Sequence, residues 1–275
     1  MQSLVRCLWC SVKIIGAFSM MTNCANSENS FNLRSPQYYF EDLQTLKLLT
    51  AAMSGDATAA KDYVTKGADP NDEGPLDSEY NRLRLLHYAI AAKKPAAVRI
   101  LLDVGADPEM SVRGFGPAFL FVITHQDVEM MSLLLDHRPV KTLSSETLKD
   151  MMLVAATHNR SACLDLLLDR GAPIDYPDDA DFTAMMRAMD AENYDMVESL
   201  LLRGASVHIE TRCGMTPAYS VEFHLKKYKV GSPTYNKVLR LKELMQERGA
   251  VFPPPTPAEV RAKRGIKDDP SLYQH

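Results

Sequence analysis

The sequence predicts an all-α protein built as a row of repeated helix pairs, and three observations carry that prediction. Leucine-rich phrases recur, as "LLDVGADPEM" from Leu101, "LLLDHRPVK" from Leu133, "LLLDRGAPID" from Leu166 and "LLLRGASVHI" from Leu200. Aligned on Gly171, they place Gly105, Arg138, Gly171 and Gly204 at a constant interval of 33 residues. The composition is that of a soluble, mildly acidic chain: 275 residues, 46% hydrophobic, 24% charged, formal net charge −4. That balance leaves enough apolar material for a sizeable core. It offers no basic stripe of the kind nucleic acid requires outside a short C-terminal tail. Apolar stretches after the N-terminus are broken by charges, so no membrane span is expected in the mature chain.

The first element is a leader. Residues 1–25 hold Arg6 and Lys13, no acid, and an apolar run from Ile14 to Met21, followed by small polar residues. A basic start, an apolar centre and a small polar exit are the marks of an export signal. The expected outcome is cleavage near Cys24 or Ala25, with lipidation of Cys24 as the variant outcome. The expected location is therefore periplasmic or otherwise exported, the alternative being a cytoplasmic protein. Cys7 and Cys10 form a single C-x-x-C without a second pair, which is weak support for metal or redox chemistry. Residues 26–39 read as a linker, 40–252 as the repeat array, and 253–275 as a Pro-rich tail with a short helix.

Within the array, each unit carries further marks. "LLHYAI" precedes Gly105, "FTAMMRAM" precedes Gly204 with Thr183 as a helix start, and Thr216-Pro217 stands 33 residues after Thr183. Gly67 and Gly249 flank the set, with "LLTAAMSGDATAAKDYVTKGADPN" before the first. A fixed period of 33 with these signatures resembles the ankyrin-repeat family. The resemblance covers six units over residues 40–252. It implies an all-α ankyrin-repeat solenoid of stacked helix-turn-helix units joined by β-hairpin-like loops.

The physics of each unit agrees. Apolar residues at i, i+3 and i+4, such as Leu164, Leu167 and Leu168, give the second helix a face that its own partner helix cannot cover, so units must stack. Glycine at the repeated position is expected to close that helix in the left-handed conformation. Pro217 suits a helix first turn, where no N–H partner is needed. Arg138-Pro139 replaces glycine in the third unit, so that corner must close another way. Asp150-Met151 replaces Thr-Pro in the fourth, and "NDEGPLDSEYN" lengthens the first loop. Twelve extra residues of the sixth unit are expected around Lys229 to Tyr235. In the tail, Thr256, Pro257 and Glu259 form a capping-box pattern after "FPPPTP".

Chemistry is sparse. No nucleophile elbow, zinc-protease or phosphate-loop motif occurs, so no catalytic residue and no cofactor is expected. Asp178, Asp179 and Asp181 resemble a calcium loop, but the turn glycine and distant glutamate are missing, and no metal site is expected. His125 and His158 lie 33 apart. Helices packed side by side run about 10 Å apart, too far for both rings to hold one zinc. They read either as hydrogen-bonded residues ending a helix or as a partner-contacting pair.

In ankyrin-like arrays the hairpin tips and first helices line a concave face that holds a protein partner. The period places tips at 110–116, 143–149, 176–182 and 209–215. The candidate partner-binding set is Arg113, Phe115, His125, His158, Tyr176, Asp178, Asp179, Asp181, Phe182, Asp190 and Arg212. Aromatic and arginine side chains are the usual anchors, and the aspartates would steer a basic partner. The functional expectation is a non-enzymatic scaffold for one specific protein, as an exported inhibitor, immunity or enzyme-protecting protein. The alternative is a cytoplasmic or host-delivered regulator.

Overall fold

The computed structural model describes residues 33–74 and 82–266. The leader, with Cys7, Cys10 and Cys24, and the middle of the first loop lie outside the described residues. Among those described, every regular element is a helix. They divide into two compact units, residues 33–151 with 165–171 and residues 152–164 with 172–266.

In the N-terminal unit, α1 (Pro36–Tyr39) leads into the pairs α2 (Leu43–Ser54) with α3 (Ala57–Thr65), α4 (Leu85–Ala91) with α5 (Pro95–Asp103), and α6 (Ala118–Thr124) with α7 (Val128–His137). First helices stack on first helices, α4 on α6, and second on second, α3 on α5 and α5 on α7. Leu48, Leu49, Leu101, Phe119, Met131, Leu134 and Leu135 are almost wholly buried between them. Each such side chain contributes about 1.5–3 kcal/mol of transfer free energy, so the leucine phrases are the core itself. The end of the stretch expected as linker is helical instead. Tyr39 packs edge-on against Tyr88 with ring centroids 5.8 Å apart, and Phe40 lies 6.2 Å from the same ring. Those two aromatics are buried, and they recruit the linker's end into the core.

Helices α8 (Ser145–Thr157) and α9 (Ser161–Asp169) follow. The C-terminal unit continues with α10 (Ala184–Asp190) and α11 (Tyr194–Leu202), then α12 (Pro217–Lys227) and α13 (Pro233–Glu247), and ends on α14 (Pro257–Lys263). Here α10 stacks on α12 and α11 on α13. The extra residues of the last pair lengthen α12 and α13 and place a turn at 228–232, as the period requires.

The corners follow one rule. Gly67, Gly105, Gly171, Gly204 and Gly249 all have φ between 89° and 104°. At Gly105 the N–H donates to Leu102 O and the next N–H, Ala106, donates to Leu101 O; Gly204 and Ala205 repeat this on Leu201 and Leu200. Paired bonds of this kind close the orphan carbonyls of a helix end. A second series sits at the opposite corner. Lys93, Gln126, Asn159 and Glu192, again 33 apart, take φ of 54° to 61° without being glycine. Each has a Cβ in a region that disfavours it.

Sequence reasoning missed a third series, the side chain four residues beyond three of the corner glycines, Gly67, Gly105 and Gly171. Asn71 accepts from Asp107 N (2.7 Å) and donates to Gly105 O (3.0 Å), while Asp175 accepts from Ser206 N (2.9 Å). Glu109 is the variant that copes with Arg138. It accepts from Arg138 Nε (3.0 Å) and from Ser144 N (2.9 Å). Burial pushes the Glu109 carboxyl up, but the hydrogen bonds from Ser144, Thr147 and Arg138 outweigh this and its pKa falls. A 3₁₀ turn at Val140–Thr142 completes that corner. Ser144 then caps α8 by accepting from Thr147 N at 3.1 Å. The expected loop tip at 143–149 is therefore mostly helix, because α8 starts well before Asp150-Met151. The loops carry isolated antiparallel bridges, Glu73 with Arg84 and Val112 with Gly116, rather than paired strands.

His87 is buried in the N-terminal unit, its Nε2 donating to Gly116 O at 3.0 Å. Burial lowers its pKa to about 4, with the neighbouring Arg84 charge acting the same way and the Gly116 bond opposing both.

Two outcomes are expected. Gly204→Ala, whose Cβ would meet no atom within 4 Å, should cost about 1–2 kcal/mol from backbone strain alone, while Gln126→Gly should gain up to about 1 kcal/mol, both read from urea denaturation. Between pH 6.5 and about 4 the unfolded chain binds a proton at His87 that the folded chain refuses. The slope of stability against pH should therefore be positive across that window and flatter in His87→Leu, by up to roughly 3 kcal/mol in total.

Candidate partner-binding surface

In the N-terminal unit the hairpin at 108–116 is a tight loop. Val112 N donates to Gly116 O (3.0 Å) and Gly116 N to Val112 O (2.9 Å). Arg113 stands exposed at its tip. Phe115 was expected as an anchor for a partner, but it turns inward, 9% exposed, with its ring edge-on to Phe121 at 5.6 Å. Arg84 braces the hairpin by donating to Ser111 O at 3.2 Å. His125 ends α6, its Nδ1 donating to Phe121 O at 2.8 Å while its ring lies tilted at 44° to that of Phe121, centroids 4.4 Å apart.

In the C-terminal unit, His158 does the same at the end of α8, with Nδ1 donating to Val154 O at 3.2 Å. Both histidines thus satisfy a last-turn carbonyl, the first of the two roles that their spacing allowed. His158 is exposed and His125 half-buried.

The hairpin at 176–182 is held by a buried charge cluster. Asp178 Oδ1 accepts from Ala180 N (2.8 Å) and Phe182 N (3.0 Å), and Asp178 Oδ2 accepts from Arg187 Nε (2.7 Å). The Arg187 guanidinium lies over the Phe182 ring, 4.0 Å from its centroid, and its Nη1 is 3.6 Å from Asp190 Oδ2. Burial raises the Asp190 carboxyl to about 6, and Arg187 opposes that shift. Asp178 and Phe182, expected on the partner face, are therefore internal struts: Phe182 is 4% exposed and the Arg187 side chain 6%. Arg187 was missed by sequence reasoning. The available signal was an arginine inside the apolar run "AMMRAM" with acids on both sides.

Outside this lock lie Tyr176, half-exposed, and Asp179, exposed. Asp181 takes φ 66° and faces Arg212 of the next hairpin, at 3.7 Å. Arg212 is exposed, and its N–H donates to Ala180 O at 3.3 Å, tying the two tips together. The tail then packs on the far side of the second tip. Arg261 donates to Cys213 O (2.7 Å) and Arg264 to Thr211 O (3.1 Å), with Val260 of α14 buried. A Cβ on Gly214 would fall 2.3 Å from Pro257 O, so this contact demands glycine. The capping box at Thr256 and Glu259 that starts α14 is present.

The arrangement is built to present side chains, with its polar groups spent on bracing hairpins. Among the described residues no cluster of three or more His, Cys, Asp or Glu is placed to hold a metal ion. No helix among them is long and apolar enough to cross a membrane.

Comparison with known proteins agrees with this geometry. A family pattern for ankyrin repeats in three copies matches residues 86–178 and again 120–211. It is an ankyrin-repeat protein. The chain is 30% identical over 149 residues to the mouse B-cell lymphoma 3 protein homolog, covering 51% of this chain and 33% of that protein. It is 29% identical over 140 residues to the chicken nuclear factor NF-kappa-B p105 subunit, covering 49% and 14%. The chain thus spans a third or less of the length of these relatives. The crystal structure of the ankyrin repeat domain of Bcl-3, a member of the IkappaB family, superimposes with a TM-score of 0.59 at 26% identity over 82% of this chain and 98% of that domain. An ankyrin repeat domain from Acinetobacter baumannii shares the fold, with a TM-score of 0.52 at 17% identity over 74% and 98%. The ankyrin repeats imply a protein-interaction scaffold.

Arg187→Met should destabilise the chain by about 3 kcal/mol, because two carboxylates are left buried without their cation. Arg187→Met combined with Asp178→Asn and Asp190→Asn should recover most of that loss, since the amide carbonyl introduced at position 178 can still accept from Ala180 and Phe182. Urea midpoints of the three chains check it.

Proposed function

We propose that this ankyrin-repeat protein is a non-enzymatic scaffold that grips one specific protein through its hairpin tips. The observation that supports this most is the division of labour at 176–182. A buried Asp178–Arg187–Asp190 cluster holds the hairpin backbone, while Tyr176, Asp179 and the neighbouring Arg212 stay toward solvent. Rigid backing under aromatic and charged side chains lowers the ordering cost of binding. Arg113 plays the same part on the hairpin of the N-terminal unit. His125, His158, Asp181 and Asp190 border these tips as supporting residues.

The residues of the leader support a further step: the protein is exported to a periplasm, where it covers its partner as an inhibitor, immunity or enzyme-protecting protein. The basic start and the apolar run from Ile14 to Met21 are its grounds. N-terminal sequencing of fractionated protein should find Met1 absent and a start near Cys24 or Ala25. An intact Met1 in the cytosol contradicts export and leaves the scaffold reading standing.

The binding test is crosslinking and co-purification, repeated with Tyr176, Asp179 and Arg212 changed together to Ala. Partner recovery should fall by about thirtyfold or more, the scale of one strong interface anchor, while the circular dichroism spectrum and melting temperature hold. Undiminished recovery contradicts this face as the grip.

A further inference from the structure

A cluster remote from the hairpin tips joins the last two helix pairs. Tyr194 opens α11, His224 lies on α12, Tyr228 ends α12, and Glu192 occupies the left-handed turn between α10 and α11. Tyr194 and His224 are each 6% exposed. Tyr194 Oη is 2.7 Å from His224 Nδ1 and 2.7 Å from Tyr228 Oη, and Tyr228 Oη is 2.6 Å from Glu192 Oε2. Lys227 closes the end by pairing with Glu192.

Three contacts of hydrogen-bond length require three protons. Glu192 is ionised beside Lys227, and its hydrogen bonds from Lys227 and Tyr228 hold its pKa below the usual carboxylate range. It can only accept, so the Tyr228 hydroxyl proton is committed to it. Tyr194 must then donate to Tyr228, because two phenol oxygens at 2.7 Å with no proton between them repel. The third proton has one source left, the Nδ1 of His224.

We propose that these residues form a one-way hydrogen-bond relay, His224 Nδ1–H to Tyr194 to Tyr228 to Glu192, which fixes the proton of neutral His224 on Nδ1 and latches α12 to the α10–α11 turn. The charged and titratable groups acting on His224 are Glu192 and Lys227, with Tyr194 in direct contact. Burial, the largest influence, lowers its pKa, so the ring is neutral near pH 7. Its Nε2 carries the lone pair. A proton added there in acid leaves all three bonds of the relay in place, whereas the opposite tautomer would break one.

The test is the tautomer itself, read from long-range ¹H–¹⁵N correlation spectra of the full chain with ¹⁵N-labelled histidine at pH 8. His224 should show a protonated Nδ1 and an unprotonated Nε2. A protonated Nε2 with a bare Nδ1 in the unaltered chain overturns the proposal, and this readout needs no variant to fold. In Tyr228→Phe, the Tyr194 proton is released toward Nδ1 and the spectrum should convert to the Nε2–H form. In Glu192→Gln the side-chain carbonyl still accepts from Tyr228, and the Nδ1–H pattern should persist. A Tyr228→Phe chain that is folded by its amide spectrum, yet keeps the Nδ1–H form unchanged, contradicts the direction assigned to the relay.

Discussion

A helix of nine residues ends with carbonyls that nothing on the helix can satisfy, and in this chain those ends are where one repeat hands over to the next. At Gly67, Gly105, Gly204 and Gly249 the positive φ turns the chain back so that two successive N–H groups return to the last turn. At Gly105 and Gly204 the leucines three and four positions earlier, Leu101, Leu102, Leu200 and Leu201, are thereby buried in the core. With no single pair of helices able to cover such a face, stacking and corner geometry become one constraint. The polar side chains at 71, 109 and 175 fasten that corner to the following one.

This dependence explains how the one exception is tolerated. Arg138 cannot take the glycine conformation cheaply, and its φ is −120°. The corner is held from outside by Glu109, which accepts from Arg138 Nε and Ser144 N, and the chain continues through Pro139 into a 3₁₀ turn. The following helix then begins at Ser145, since Ser144 is drawn into the same carboxylate and is placed to cap. One substitution at a corner thus removes a hairpin and lengthens a helix.

Periodic features were legible in the sequence for the reason that they are local. The corner glycines, the Gly55-Asp56 turn with Asp56 accepting from Ala59 N, the Thr216-Pro217 start and the Thr256 capping box each depend on a few adjacent residues. Which hairpin side chains point outward was not legible. Phe115 and Phe182 look like interface anchors by type, yet each folds onto a residue a few positions further on, Phe121 and Arg187, that sequence spacing does not single out. Asp178 belongs to the same class, because an acid in an acidic loop gives no hint that Arg187 comes back to meet it. Relations across one period, such as Asn71 to Asp107 or Glu192 to Tyr228, become visible only when the units are laid side by side.

The functional reading inherits this structure. A hairpin whose backbone is braced from inside, as Asp178 and Arg187 brace 176–182, can offer its exposed side chains without rearranging. The central claim is that the corners are as firmly held as the helices they join. Native-state hydrogen exchange measures it directly at the amides of Ala68, Ala106, Ala205 and Ala250, which donate back to Tyr63, Leu101, Leu200 and Met245. Protection close to that of the core amides of α5 and α11 is the predicted result; exchange at the rate of open loops would contradict the account.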